Sequence, residues 1–335
     1  MADETVSSPS AIDPYKFLQI VPNPDGTVTR IPRPTTVAIQ DPNHDRALLV
    51  LSKDVPVNQL NNTWVRIFLP RQALDSSFST KLPLILHFHG GGLVILSAAT
   101  TIFHDFCSNI AAEIPCIIAS VEYRLAPEHR LPAAYDDAME ALHWMKTTQE
   151  EWLQKYADFS CCFIMGDSAG GNIAYHTGLR AAAQVDNLLP LKIKGLILNY
   201  PYFGGVKRTE SELKMVNDPF SPLCVSDLQW ELALPPGTDR DHEYCNPTVG
   251  GGSKLLDQIK LLGWKVLMTA GKADILIDHQ IEVLKMMEQK GMQVVSHFNE
   301  GGHDAFKLPA DYKALRGAIA SFILSNSASA GLESE

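Results

Sequence analysis

Residues 161–170 read Cys161-Cys162-Phe163-Ile164-Met165-Gly166-Asp167-Ser168-Ala169-Gly170, and Asn172–Ala183 follows with helical spacing. An apolar strand that passes into a helix through G-x-S-x-G makes a sharp turn with the serine at its tip. The flanking glycines are needed because side chains there would strike neighbouring backbone. The turn exposes the hydroxyl and aims the positive end of the helix at it. Alone the pentapeptide is a weak signal, since a glycine-rich turn at a helix start reads the same way.

A second signal lies upstream: His89-Gly90-Gly91-Gly92, directly after the apolar run Leu82–Phe88. Glycines in series let backbone N–H groups face a cavity and donate to a developing oxyanion. A phosphate cradle is the competing use, but Leu93 and Val94 follow where a P-loop needs lysine and Ser/Thr. The two motifs in this order, each after a strand, are far more specific than either alone. The uncharged stretch Leu82–Phe103 is long enough to span a bilayer, but Pro83, His87, His89 and three glycines would break and wet such a helix. It reads as strand, loop and helix start.

Working outward, the runs Ala47–Val57, Trp64–Leu69, Leu84–Phe88 and Ile117–Tyr123 read as strands. Helix over Tyr135–Leu153 and strand–helix alternation to Ala314–Leu324 follow, with Lys265–Thr269 and Val294–Phe298 as strands. That order predicts a mostly parallel sheet with helices on both faces. Pro201–Pro247, rich in Pro, Asp and aromatics, is an insertion and a candidate lid.

The 335 residues hold 28 Lys+Arg against 38 Asp+Glu, a net charge of −10, which argues against nucleic acid or an anionic membrane as partner. No secretory signal pattern opens the chain, so a cytoplasmic location is expected. The 6 cysteines include no C-x-x-C pair and read as buried hydrophobes; no metal or cofactor site is expected. Cys161 and Cys162, adjacent in a strand, should face opposite ways.

HGGG, then Tyr123-Arg124-Leu125-Ala126-Pro127-Glu128-His129, then GDSAGGNIA closely resembles the plant class I carboxylesterases. These form part of the hormone-sensitive-lipase-like branch of the α/β-hydrolase fold. The resemblance runs from about Tyr15 to Leu324 and implies an eight-stranded sheet in one α/β-hydrolase domain over residues 1–335. It implies a small cap formed by segment 1–40 and an insertion at about 202–247. By position it makes Ser168 the nucleophile and the amides of Gly91, Gly92 and Ala169 the oxyanion hole. Arg124 and Glu128 are expected to brace the core.

Such hydrolases run serine, acid, histidine along the chain. Asp274, in Gly271–Asp278 after a strand, matches the acid's position, with Ile275 where proline is common; Asp278 is the runner-up. The histidine departs from the pattern. Close relatives place it after Gly-Gly-aromatic, where Asp304 stands, and His303 is one residue early. A one-residue loop adjustment would bring His303 to Ser168, whereas a solvated Asp304 is a weak base for a serine hydroxyl.

The expected activity is hydrolysis of a small, acetyl-like ester of a plant metabolite by a Ser-His-Asp acyl-enzyme route, without cofactor or metal. The displaced histidine leaves as alternatives a non-hydrolytic cyclase- or dehydratase-like enzyme of specialised metabolism and, more remotely, a hormone receptor. Leu93, Val94, Ile95 and Leu96 are candidate pocket walls, and Phe220, Leu223, Leu228 and Trp230 candidate lid residues. A small-molecule ester partner and a monomer or weak homodimer complete the expectation.

Overall fold

A computed structural model describes residues 12–41, 43, 47–75, 80–251, 253–303 and 309–327. Among the described residues the first elements are α1 (Pro14–Leu18), the hairpin β1 (Ile20–Pro22) and β2 (Val28–Arg30), then β3 (Val50–Asn58), β4 (Thr63–Pro70) and β5 (Leu82–Phe88). Next come α2 (Thr101–Glu113), β6 (Ile117–Glu122), α3 (Ala133–Thr147), α4 (Glu151–Tyr156), β7 (Ala157–Asp167) and α5 (Ala169–Ala182). β8 (Ile193–Asn199), α6 (Glu210–Lys214), α7 (Leu223–Ala233), α8 (Leu256–Leu261) and β9 (Lys265–Gly271) follow. α9 (Ile277–Gln289), β10 (Val294–Asn299) and α10 (Pro309–Ser327) close the series.

Eight strands form one sheet in the order β10-β9-β8-β7-β5-β6-β4-β3. Pairing is parallel from β10 to β6, and antiparallel for β6–β4 and β4–β3. The chain leaves β5 to one side for β6 and returns to the other side for β7. The loop after β5 and the turn after β7 therefore emerge side by side at a topological switch point, where open α/β sheets bind ligands.

Both faces of the sheet are covered. One carries Ile164 and Leu198 against a layer containing Ala138, Leu142 and Ile173. The other carries Phe163, Met165 and Ile197 against Phe106, Ile110, Ile319 and Phe322. Cys161 packs on the second face and Cys162 on the first, as adjacent strand residues must. Each fully buried Leu or Ile contributes about 1.5–3 kcal/mol. The segment 135–153 is two helices rather than one. α3 stops at Thr147, and the Glu150 carboxylate accepts from the Leu153 amide to start α4.

The insertion supplies α6 and α7, and α1 lies against α7 above the switch point. A capping box, Thr209 with Glu212, starts α6. Asp278 accepts from the Ser211 amide at 2.8 Å, so it anchors the insertion rather than facing Ser168. Arg124 pairs with Asp137 at 2.6 Å and Glu128 with Arg30 at 2.6 Å, both bracing contacts.

Candidate active site

The turn after β7 carries Ser168 at φ 55, ψ −116, between strand and helix. Such a conformation costs about 1–3 kcal/mol and persists only where its surroundings enforce it. Here they do. The Ser168 amide donates to the Asn199 carbonyl at 2.8 Å, and its carbonyl accepts from Tyr202 at 2.9 Å and Asn172 at 3.1 Å. A Cβ on Gly166 would lie 2.0 Å from the Gly170 carbonyl oxygen, and one on Gly170 2.0 Å from that of Phe88. Only glycine fits at either flank.

His303 follows the end of β10. Its Nε2 lies 2.8 Å from Ser168 Oγ and its Nδ1 2.8 Å from Asp274 Oδ2. With the ring N–H directed at the carboxylate, Nε2 is left to accept from the serine hydroxyl. Asp274, after β9, is fully buried. Its Oδ1 accepts from the Leu276 amide at 2.9 Å, and Oδ2 also accepts from Gln280 Nε2 at 3.2 Å. These two donors fix the buried carboxylate in place beside the His303 ring. Asp304 lies outside the described residues.

Gly90 covers the elbow so closely that a Cβ there would lie 3.2 Å from Ser168 Cβ. Gly92 holds φ +60, and a Cβ on it would strike the Gln229 side chain, which crosses the loop from α7. The amides of Gly91, Gly92 and Ala169 donate to no acceptor among the described residues. His89 stacks on Tyr123 at 4.2 Å, and burial pushes its pKa down to about 3, so the ring below the loop is neutral. Glu122 accepts from Ser97 Oγ and the Ala98 amide; burial nonetheless pushes its carboxyl up to about 7.

A cavity of about 620 Å³ opens at Ser168 and His303, walled by Phe17, Phe103, Phe106, Tyr200, Tyr202 and Phe220 among others. Phe220 stands where the lid reading put it, its ring 5.9 Å from that of His303. Leu93, Val94 and Trp230 do not line the cavity, and neither do Leu223 and Leu228. The chain turns after the glycines with Leu93 at φ 67, which sinks Leu93 and Val94 into the core and presents Ile95 and Leu96 instead. Trp230 is buried behind the wall, stacked on Tyr202 at 4.5 Å. Gln280, Gln229 and Phe17 escaped the sequence reading; only the placement of Gln280 six residues after Asp274 hinted at any of them. Among the described residues no group of three or more His, Cys, Asp or Glu is placed to hold a metal ion, and no helix is long and apolar enough to cross a membrane.

Strand order, elbow and cavity define an α/β-hydrolase, and comparison with known proteins agrees. A family model described as alpha/beta hydrolase fold matches residues 85–307, and the chain belongs to that family. Carboxylesterase 20 of Arabidopsis thaliana is 50% identical over 328 residues, covering 96% of this chain and 99% of that one. The 3-O-acetylpapaveroxine carboxylesterase CXE2 of Papaver somniferum is 44% identical over 323 residues, covering 93% and 99%. Among solved structures, an esterase of Pyrobaculum calidifontis shares the fold with TM-score 0.67 and 24% identity, covering 82% of this chain and 84% of that chain. The protein is a carboxylic ester hydrolase of the plant carboxylesterase kind.

Proposed function

We propose that the protein hydrolyses small acyl esters of plant metabolites through Ser168, His303 and Asp274. The observation that carries this is the pair of 2.8 Å contacts from Ser168 through His303 to Asp274. Ser168 Oγ adds to the ester carbonyl as His303 Nε2 takes its proton. The carbonyl oxygen, now negative, lies against the free amides of Gly91, Gly92 and Ala169. His303 returns the proton to the departing alcohol, leaving an acyl-serine that water clears by the same two proton transfers. Asp274 steadies the imidazolium formed in each half. The reach of His303 speaks for hydrolysis over a cyclase or dehydratase reaction, because the one-residue displacement was the ground for those.

The apolar, aromatic wall and a volume of about 620 Å³ suit a compact ester with a ring-bearing alcohol portion. The poppy relative, named for an acetyl ester, supports a short acyl group. The N-terminal helix and the insertion together act as the cap of a single domain. Purified protein is expected to hydrolyse p-nitrophenyl acetate and butyrate and to be labelled by an organophosphate at Ser168, and Ser168→Ala to lose both. Turnover surviving in Ser168→Ala overturns the assignment.

A further inference from the structure

Polar side chains on neighbouring strands form a row across the sheet beneath the site. Ser120 on β6 lies 2.9 Å from His87 Nδ1 on β5, and His87 Nε2 lies 2.7 Å from Asp167 Oδ2 at the end of β7. Asn199 Nδ2 on β8 donates to Asp167 Oδ1 at 2.9 Å, and Thr269 on β9 donates to Asn199 Oδ1 at 3.3 Å. Register produces this row, since His87 sits opposite Ser120, and Asp167 opposite Asn199, and Asn199 opposite Thr269. The reaction proposed above uses none of these side chains.

Asp167 is the anomalous member. It immediately precedes Ser168, its side chain is 20% exposed, and it lines the same cavity. An oxyanion developing over the elbow would meet the field of that carboxylate, and in a half-buried site the repulsion is weakly screened. His87 is fully enclosed, with Phe103 and Phe106 beside its ring and Cys107 Sγ 3.4 Å from Nδ1. A buried charge survives only where it is paired.

We propose that His87 is a positioning residue that acts as a fixed counter-charge, its imidazolium cancelling the Asp167 carboxylate beside the oxyanion loop and holding that carboxylate against the sheet. This rests on Ser168 being the nucleophile. Burial opposes a charged ring, yet Cys107 and the bond to Asp167 raise His87 to about 10. His89, two residues on and equally enclosed, has no such bond and is neutral. The imidazolium thus offsets the Asp167 charge before substrate binds, and the amides do not act against that carboxylate's field.

The test is a mutant cycle in the full chain with p-nitrophenyl butyrate, measuring kcat and KM for His87→Gln, Asp167→Asn and the double variant, with folding checked by circular dichroism. Glutamine fills much of the ring's space and keeps a donor but carries no charge. His87→Gln is expected to lower kcat by about tenfold or more while KM stays within about threefold, because the oxyanion exists only in the transition state. Adding Asp167→Asn should restore most of that loss, which a merely structural pair would not do. A folded His87→Gln with wild-type kcat overturns the proposal, as does a double variant no faster than His87→Gln. Should His87→Gln not fold, histidine-selective ¹⁵N spectra of the wild type decide: an imidazolium at His87 at pH 8 supports the proposal and a neutral ring overturns it. Organophosphate labelling separates this from the nucleophile assignment, which fails only if Ser168→Ala keeps label or turnover.

Discussion

The elbow and the histidine loop meet at a 2.8 Å contact between Ser168 Oγ and His303 Nε2, and they reach it by different means. At the elbow, backbone packs on backbone: Gly166 and Gly170 each leave a gap that a methyl group would overfill, and Ser168 is held in a left-handed conformation by three main-chain hydrogen bonds. The histidine loop is positioned at its root, where the Gly301 carbonyl accepts from Ala273 at 3.0 Å and its amide donates to Asn299 Oδ1 at 3.0 Å. At its tip a side chain does the aiming, the Asp274 carboxylate drawing the His303 ring into place. Backbone sterics demand particular residues at particular positions. A side-chain tether accepts the histidine wherever the loop brings it within reach.

That contrast can be broken by experiment. The largest effect belongs to Gly170→Ala, whose methyl would land 2.0 Å from the Phe88 carbonyl oxygen. It is expected to abolish soluble folded protein or to lower Tm by about 10 °C or more in a thermal melt. A stable Gly170→Ala enzyme would contradict the steric account of the elbow. Next, His303→Ala should fold normally and lose about 10³-fold or more in kcat on p-nitrophenyl butyrate. Wild-type turnover in that variant removes His303 from the mechanism, and Asp304→Ala measured beside it should have little effect.

Inserting one glycine between Gly302 and His303 sharpens the comparison further. The histidine then stands at the spacing usual in close relatives, but this loop already delivers it, so a loss of about 10²-fold in kcat is expected. An insertion variant as fast as the wild type would show the tether to be looser than a 2.8 Å contact suggests. The smallest effect is on stability. Burial raises the Glu122 carboxyl from 4.5 to about 7, so its protonated form favours the fold. That contribution is complete below about pH 4.5 and is lost as pH rises through 7. Glu122→Gln cannot ionise, so its Tm should gain on the wild type between pH 5 and pH 8, by on the order of 2–4 °C. A constant difference over that range would assign the burial wrongly.

The same contrast explains what the sequence made legible. Strand positions, the elbow and the glycine loop after β5 are written in apolar runs and obligatory glycines, which local sterics impose wherever this turn occurs. Asp274 could be placed because it follows a strand end. The pocket wall could not: after Gly92 the chain has no period, so nothing in Leu93-Val94-Ile95-Leu96 says which pair turns inward. Phe17 and Gln229 reach the site from elements distant in sequence, and such contacts follow from how α1 and α7 pack over the sheet. The break between α3 and α4 at Thr148–Glu150 was equally hidden, because helical spacing of apolar residues continues across it.

Arg30, on the short hairpin near the start of the chain, donates to the carbonyls of Val94 at 2.6 Å and Ala126 at 2.7 Å and pairs with Glu128. It thereby clasps the segment just after Gly90-Gly91-Gly92. During synthesis Arg30 emerges early but its carboxylate partner lies 98 residues later in the chain. The clasp therefore closes only after β6 has been made, and the loop takes its final shape late, as a long-range event rather than a local one. Shortening the chain past Arg30 would leave the sheet its strands and take away the latch.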